Sequence, residues 1–194
     1  MTQKRTYLLI TFIYLSLSSY SQNWGDYFKW TEVDSIHVCP SNIEKGKEIN
    51  SNLIANTGLD TLYPYSTFYG NQSFKWGDSL FAFIVRLEAD EIDQPIILLV
   101  LANKKSEIKH HFEIASYATI PGTMEETRNA WIYDLYKDGD LDIVIMDDLV
   151  DYELPIEGAP NISGVEGRVY RNTGTDFSYE YISKELYYQL VVIK

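Results

Sequence analysis

The chain has 194 residues, of which 14% are aromatic, and a formal net charge of −12 at pH 7. This negative field repels polyphosphates and anionic lipid surfaces, so the composition argues against nucleic acid and membrane surfaces as partners. The length suits a single domain with a sizeable core.

The first 21 residues have the pattern of an export signal. Lys4 and Arg5 form a short positive segment, residues 7–17 are apolar, and small residues stand at the positions that a signal peptidase selects. The apolar run is shorter than the roughly 20 residues that a membrane span needs. We therefore expect cleavage after residue 21. The mature protein, residues 22–194, would then be exported to the periplasm or the cell exterior without membrane insertion.

Cys39 is the only cysteine, so no disulfide can form within the chain. An exported domain without disulfides depends on its core, on a bound metal, or on both. No Cys–His–Asn signature of a catalytic thiol surrounds this residue. We expect a half-buried thiol on a strand, next to Pro40.

The rest of the chain predicts an all-β domain. Short apolar segments are separated by Gly, Pro, Asn and Asp, and the many aromatic residues suit the half-buried surface of a sheet. The predicted strands are residues 35–39, 61–69, 72–76, 79–87, 96–101, 107–115, 130–133, 140–146, 165–172, 177–183 and 186–193.

Three segments between these strands carry other predictions. Residues 41–56 indicate a loop or one weak helical turn. Residues 119–128 contain a capping-box-like start and indicate a short helix. Residues 147–163 are acidic, contain Pro and Gly, and indicate a surface excursion. Alternation within strand 107–115 places His110 and His111 on opposite faces, so these two side chains cannot bind one ion together.

The most distinctive motif is the nine-residue run from Asp134 to Asp142, which holds four carboxylates and a glycine. Carboxylates this close repel one another unless a cation lies between them, and Gly139 permits a sharp bend. Ca²⁺ prefers such oxygen ligands, and its binding would be coupled to local folding. An EF-hand is excluded because Ile145 stands where a bidentate Glu is needed. The alternative is an acidic, solvent-exposed turn without a bound metal.

Residues 131–145 resemble the calcium loop of the FG-GAP/VCBS repeat, in which D-x-[DN]-x-D-G-x-x-D precedes a short apolar strand. Residues 167–177 resemble the closing hairpin of that repeat, with an apolar–aromatic strand, Asn-x-Gly and then Phe. The resemblance spans roughly residues 130–183. No repeat at a fixed period accompanies it. It therefore implies one divergent repeat within an antiparallel β-sandwich or a small propeller-like meander.

The same resemblance implies a set of metal ligands. Asp134, Asp138 and Asp142 would bind Ca²⁺ through their side chains, and Asp140 would contribute its backbone carbonyl. Tyr136 departs from the family pattern, which has Asp or Asn at this position. This departure predicts a weak site.

No motif in the sequence marks a catalytic residue: Gly-x-Ser-x-Gly, His-Glu-x-x-His and glycine-rich phosphate loops are absent. The leading hypothesis is an exported, non-enzymatic binding module with a Ca²⁺-stabilised loop and a protein or carbohydrate partner. The alternative is a metal-dependent hydrolase of a glycan or phosphoester in the periplasm or at the cell surface. Aromatic side chains are frequent contact residues, and the alternative is that they fill the core. The candidates are Trp24, Trp30, Tyr63, Tyr65, Tyr69 and Trp76.

Overall fold

The computed structural model describes residues 24–89, 94–120, 124–156, 159–173 and 176–183. The predicted signal segment and the predicted strand 186–193 lie outside these residues. The helical elements are a 3₁₀ turn (Trp24–Tyr27), α1 (Ser51–Ala55) and α2 (Leu59–Leu62). The strands are β1 (Lys29–Trp30), β2 (Ser35–Val38), β3 (Lys47–Glu48), β4 (Ser66–Trp76), β5 (Leu80–Ala89), β6 (Ile96–Asn103), β7 (Ile108–Ile120), β8 (Met124–Tyr133), β9 (Asp142–Ile156), β10 (Ala159–Asn172) and β11 (Phe177–Ile182).

The strands form one mixed sheet in the order β1-β4-β5-β6-β7-β8-β9-β10-β11, with β3 on β4 and β2 on β8. From β4 to β11, each strand pairs antiparallel with the next along the chain, whereas β1 pairs parallel with β4. The all-β prediction is confirmed, and the strand order is that of a meander. In the part of the chain that the structure describes, no helix has the length and apolar character that crossing a membrane requires.

The meander curls so that one face becomes an enclosed core. Trp76 on β4 and Phe177 on β11 belong to opposite ends of the sheet, yet their ring centroids are 6.0 Å apart. Phe112 on β7 also meets Tyr170 on β10, with centroids 5.1 Å apart. The buried side chains of this core are Val38, Ile43, Phe74, Trp76, Ala82, Ile84, Ile97, Leu99, Leu101, Ile114, Ala115, Ala130, Ile132, Ile143 and Ile145.

The N-terminal segment covers the other face of β5 and β6. Trp24, Ile54 and Leu59 come from the 3₁₀ turn and the two short helices, and they are buried against side chains such as Val85 and Leu98. Strand β6 is therefore covered on both faces, and every side chain from Ile97 to Ala102 is buried. This explains its uninterrupted apolar sequence.

The structure corrects the predicted break between strands 61–69 and 72–76. Residues 61–65 are the end of α2 and the turn after it, so the first part of the predicted strand is wrong. The strand β4 runs from Ser66 to Trp76, and a register shift between Gly70 and Ser73 bends it without ending it. A Cβ atom at Gly70 would collide with the carbonyl oxygen of Tyr27. Gly70 thus serves a close backbone approach, not a turn.

The predicted helix in residues 119–128 is also wrong for the described residues, because β7 extends to Ile120 and β8 begins at Met124. The register pairs Ser116 with Arg128 and Ile120 with Met124. These cross-strand pairs override a local capping signal, which is worth only about 1 kcal/mol.

The predicted surface excursion of residues 147–163 is wrong as well, because β9 continues to Ile156 and β10 starts at Ala159. The acidic start of this segment has basic neighbours on both adjacent strands. Asp147 accepts hydrogen bonds from Arg128 on β8 and from Arg168 on β10. A carboxylate that looks solvent-facing in the sequence is therefore neutralised within the sheet.

Candidate ligand-binding cleft and the acidic loop

The acidic loop connects β8 to β9 and is closed by its own backbone. The carboxylate of Asp134 accepts hydrogen bonds from the backbone N–H groups of Asp138, at 3.0 Å, and Gly139, at 2.9 Å. Gly139 has a φ of 92°, which only glycine adopts at little cost. The predicted bend at this glycine is confirmed.

Asp142 lies beneath the loop and is 1% exposed. Its carboxylate accepts hydrogen bonds from the backbone N–H groups of Leu135, at 3.2 Å, and Asn172, at 3.1 Å. Burial raises the pKa of Asp142, and these two N–H groups oppose that rise. Asp142 therefore ties the loop to the end of β10.

Asp138 faces a positive charge at the rim of the loop. It accepts a hydrogen bond from the backbone N–H of Asp140, and its second oxygen lies 3.2 Å from Nη2 of Arg171. That N–H and then the guanidinium lower the pKa of Asp138. The Arg171 guanidinium also lies 4.3 Å from the ring centroid of Tyr136. The Tyr136 hydroxyl donates to Glu180 at 3.0 Å.

These contacts test whether the four aspartates fit a calcium site. Asp134, Asp138 and Asp142 each already accept two hydrogen bonds, and Asp140 is a half-buried side chain near Gly77. Among the described residues, no group of three or more His, Cys, Asp or Glu side chains is placed to hold a metal ion. Calcium binding by this loop stays a prediction.

The aromatic residues proposed as contact residues divide between core and surface. Trp24, Tyr69 and Trp76 are buried, and Tyr63 is half-buried. Trp30 and Tyr65 are exposed. His110 is half-buried against Phe177 and His111 is exposed, as the alternation predicted.

A cleft opens where β8 changes its partner. Residues 124–128 of β8 pair with β7, whereas residues 130–133 pair with β2. Asn129 lies between the two ladders, at the seam. The cleft has a volume of about 530 Å³, within the range of about 300–1,000 Å³ that ligand sites occupy. This seam cleft is lined by His37, Cys39, Pro40, Ser41, Gln94, Tyr117, Thr127, Asn129 and Trp131.

The local sequence explains why β2 ends at the cleft. Pro40 cannot donate to a ladder, so the strand ends before it. Asn42 holds the following turn: its Oδ1 accepts from the Cys39 N–H and its Nδ2 donates to the His37 carbonyl, both at 2.9 Å. The Cys39 thiol is half-buried, as predicted, but Cys39 follows β2 and is not part of the predicted strand. Its Sγ lies 3.3 Å from the Ser41 hydroxyl oxygen.

The floor of the cleft is the outer face of β8, opposite the face that carries Ala130 and Ile132 into the core. His37 and Trp131 are cross-strand partners, and their rings stack at 4.3 Å with planes 17° apart. Partial burial lowers the pKa of His37. The imidazole is therefore neutral at pH 7.

Several polar groups of the cleft have no partner in the protein. Across the described ranges, the side chains of Gln94, Thr127 and Asn129 make no protein hydrogen bond. Two aromatic side chains, Tyr117 and Trp131, lie beside them. The seam cleft thus combines apolar ring surface with available donors and acceptors, as small-ligand sites do.

Sequence reasoning did not identify this cleft. The period of two in β8 does place Thr127, Asn129 and Trp131 on one face. The cleft, however, arises from the pairing of β8 with β2, which lies about ninety residues earlier in the chain. Such a long-range pairing leaves no local signal.

Comparisons with protein-family models, with curated proteins and with solved structures found no match. The resemblance of residues 130–183 to the FG-GAP/VCBS repeat therefore stays a prediction.

Proposed function

We propose that the protein is an exported, non-enzymatic binding module that holds part of a protein or carbohydrate ligand in the seam cleft. Export is supported by the sequence pattern of residues 1–21. Binding is supported by the cleft between β2, β7 and β8. The observation that carries the proposal is the group of available hydrogen-bonding side chains beside Tyr117 and Trp131.

The cleft chemistry favours binding over hydrolysis. Acid–base hydrolysis uses facing carboxylates, and a hydrolytic metal needs His or carboxylate ligands. The nine lining residues that the structure describes include one His and no Asp or Glu. The Cys39 thiol contacts the Ser41 hydroxyl, which is not a base.

Immobilised glycan and peptide arrays test this proposal. The wild-type protein should bind at least one class of probe, and Asn129→Leu should weaken that binding about tenfold because it removes the polar groups of the side chain at the seam while keeping a similar size. Tyr181→Ala is the matched control, since it removes an exposed aromatic side chain from β11, away from the cleft.

Two outcomes would contradict the proposal. Binding that is unchanged in Asn129→Leu and is lost in Tyr181→Ala would place the ligand on β11. If the protein only binds, mass spectrometry should show that the released probe has kept its original mass. Cleaved probe, formed by the wild type and not by a heat-denatured sample, would favour the hydrolase.

A further inference from the structure

The described lining of the seam cleft carries no charged side chain, although the protein is strongly acidic. The chain has 28 Asp and Glu residues and 16 Lys and Arg residues, and none of those that the structure describes lines the cleft. Partial burial lowers the pKa of His37, whose ring stacks on Trp131. Glu125 on β8 is hydrogen-bonded to the Tyr117 hydroxyl. A charged ligand would lose its hydration here without meeting an opposite charge.

The available polar groups of the cleft are suited to the hydroxyl groups of a sugar. The amides of Gln94 and Asn129 and the hydroxyl of Thr127 can each donate and accept hydrogen bonds. A sugar hydroxyl also does both. The C–H faces of a sugar ring are apolar and can pack against the rings of Tyr117 and Trp131.

An extended peptide fits this cleft less well. Peptides are commonly captured by the free backbone groups of an edge strand. Strand β8 is not an edge, since β9 pairs with it along one side and β7 and β2 share the other. On the β8 floor of the cleft, the groups left for recognition are therefore mainly side chains.

We propose that the seam cleft binds an uncharged carbohydrate, whose ring packs on the aromatic side chains while its hydroxyls bond to Gln94, Thr127 and Asn129. This inference rests on the proposed function and specifies the ligand class of the same site. The described lining carries no charged side chain, and this favours a neutral sugar over an anionic one as the ligand.

Isothermal titration calorimetry tests the inference with four neutral probes and one charged probe. The neutral probes are oligosaccharides of glucose, xylose, mannose and N-acetylglucosamine, and the charged probe is oligogalacturonate. At least one neutral probe should bind. Its Kd should stay the same between about 0.01 M and 1 M NaCl, over which the Debye length falls from about 30 Å to about 3 Å.

Two variants of nearly unchanged side-chain size test whether the sugar binds in the seam cleft. Thr127→Val and Asn129→Leu should each raise the Kd about tenfold, the usual consequence of losing one hydrogen bond. Tyr179→Ala on β11 should leave it unchanged. Circular dichroism and melting curves confirm that each variant is folded.

The possible results separate this inference from the proposed function. Uncharged peptides that bind in an Asn129-dependent manner, while no sugar binds, would overturn the carbohydrate inference and keep the binding module. Preference for oligogalacturonate, with weakening in salt, would also overturn it. Sugar binding that is insensitive to both cleft variants, or the absence of binding by every probe, would contradict both proposals.

Discussion

Arg171 shows how a single residue changes the chemistry of the acidic loop. The sequence predicts repulsion among the carboxylates, relieved by a metal ion. In the structure, the Arg171 guanidinium contacts Asp138 and favours the charged form of Asp142. Backbone N–H groups donate to the carboxylate oxygens of Asp134 and Asp142. The bend at Gly139 was predictable because the glycine lies within the motif, but the guanidinium comes from a strand about thirty residues away.

Replacing Arg171 should make the loop more receptive to Ca²⁺. We expect Arg171→Ala to leave Asp138 uncompensated, so that Ca²⁺ raises the melting midpoint of the variant more than that of the wild type. At ten times a Kd of about 10⁻³ M, the gain corresponds to about 1.4 kcal/mol. Calorimetric melting with Ca²⁺ and with chelator measures it, and Arg171→Lys is the charge-preserving control. A large gain in the wild type, lost in Asp138→Ala, would instead establish the calcium site predicted from the sequence.

Asp142 should stabilise the loop through its two accepted hydrogen bonds. We expect Asp142→Ala to lower the free energy of unfolding by about 1–3 kcal/mol for each N–H left without an acceptor. Asp142→Asn should cost less, because its amide oxygen can still accept one bond. Urea unfolding of the two variants measures the difference. Equal stability of Asp142→Ala and the wild type would show that these bonds contribute nothing.

The contribution of Asp142 to folding stability should change with pH in a definite direction. Burial raises the pKa of Asp142 in the folded protein above its unfolded value near 3.8. A group of this kind favours folding below its unfolded pKa, and the benefit is lost as the pH rises through the raised folded pKa. The stability of the wild type relative to Asp142→Asn should therefore fall as the pH is raised from about 3 to 7. A relative stability that rises over this interval would contradict the assignment.

At the scale of elements, strongly apolar strands are predictable and polar ones are not. The runs that became β5 and β6 are buried on both faces, and their apolar sequences suffice to identify them. The start of β9 and the second half of β10 were also predicted. The continuation of β9 past Asp147 was not, because its acidic sequence is typical of loops until the arginines of β8 and β10 are known.

Asp147 should therefore be critical for the hairpin of β9 and β10. Its side chain is 12% exposed and lies between Arg128 and Arg168, while Arg128 also bonds to Glu113 at 2.9 Å. Asp147→Ala would remove the carboxylate that Arg128 and Arg168 share, and both guanidinium groups are largely buried. We expect a loss of about 3–5 kcal/mol, measured by chemical denaturation. Asp148→Ala, on the neighbouring position, is the control. A loss of less than about 0.5 kcal/mol would mean that the cluster is effectively solvated.

At the scale of the whole molecule, the curl of the sheet depends on contacts between its ends. Phe177 on β11 meets Trp76 on β4, and it also meets His110 and Phe112 on β7, with centroids 5.2 Å and 5.0 Å away. Sequence patterns indicated a meander but could not say that its ends meet, since ring contacts across many strands have no local signature. The seam that forms the cleft is non-local for the same reason.

Truncating Phe177 should loosen this closure. A fully buried Phe→Ala substitution costs about 3–5 kcal/mol, and Phe177 is half-buried, so we expect Phe177→Ala to cost about 2 kcal/mol. Tyr179→Ala changes a residue that is 63% exposed on the same strand and should stay within about 0.5 kcal/mol of the wild type. Thermal and urea unfolding measure both variants. Equal losses for the two would mean that β11 does not close the core.

The most direct measurement for the whole account is a two-dimensional NMR titration of the ¹⁵N-labelled protein with the neutral oligosaccharides. The binding-cleft account predicts that the largest shifts occur in the side-chain amides of Asn129 and Gln94 and in the indole N–H of Trp131. Shifts that leave these signals in place and instead affect the residues of β11 around Tyr179 and Tyr181 would contradict it.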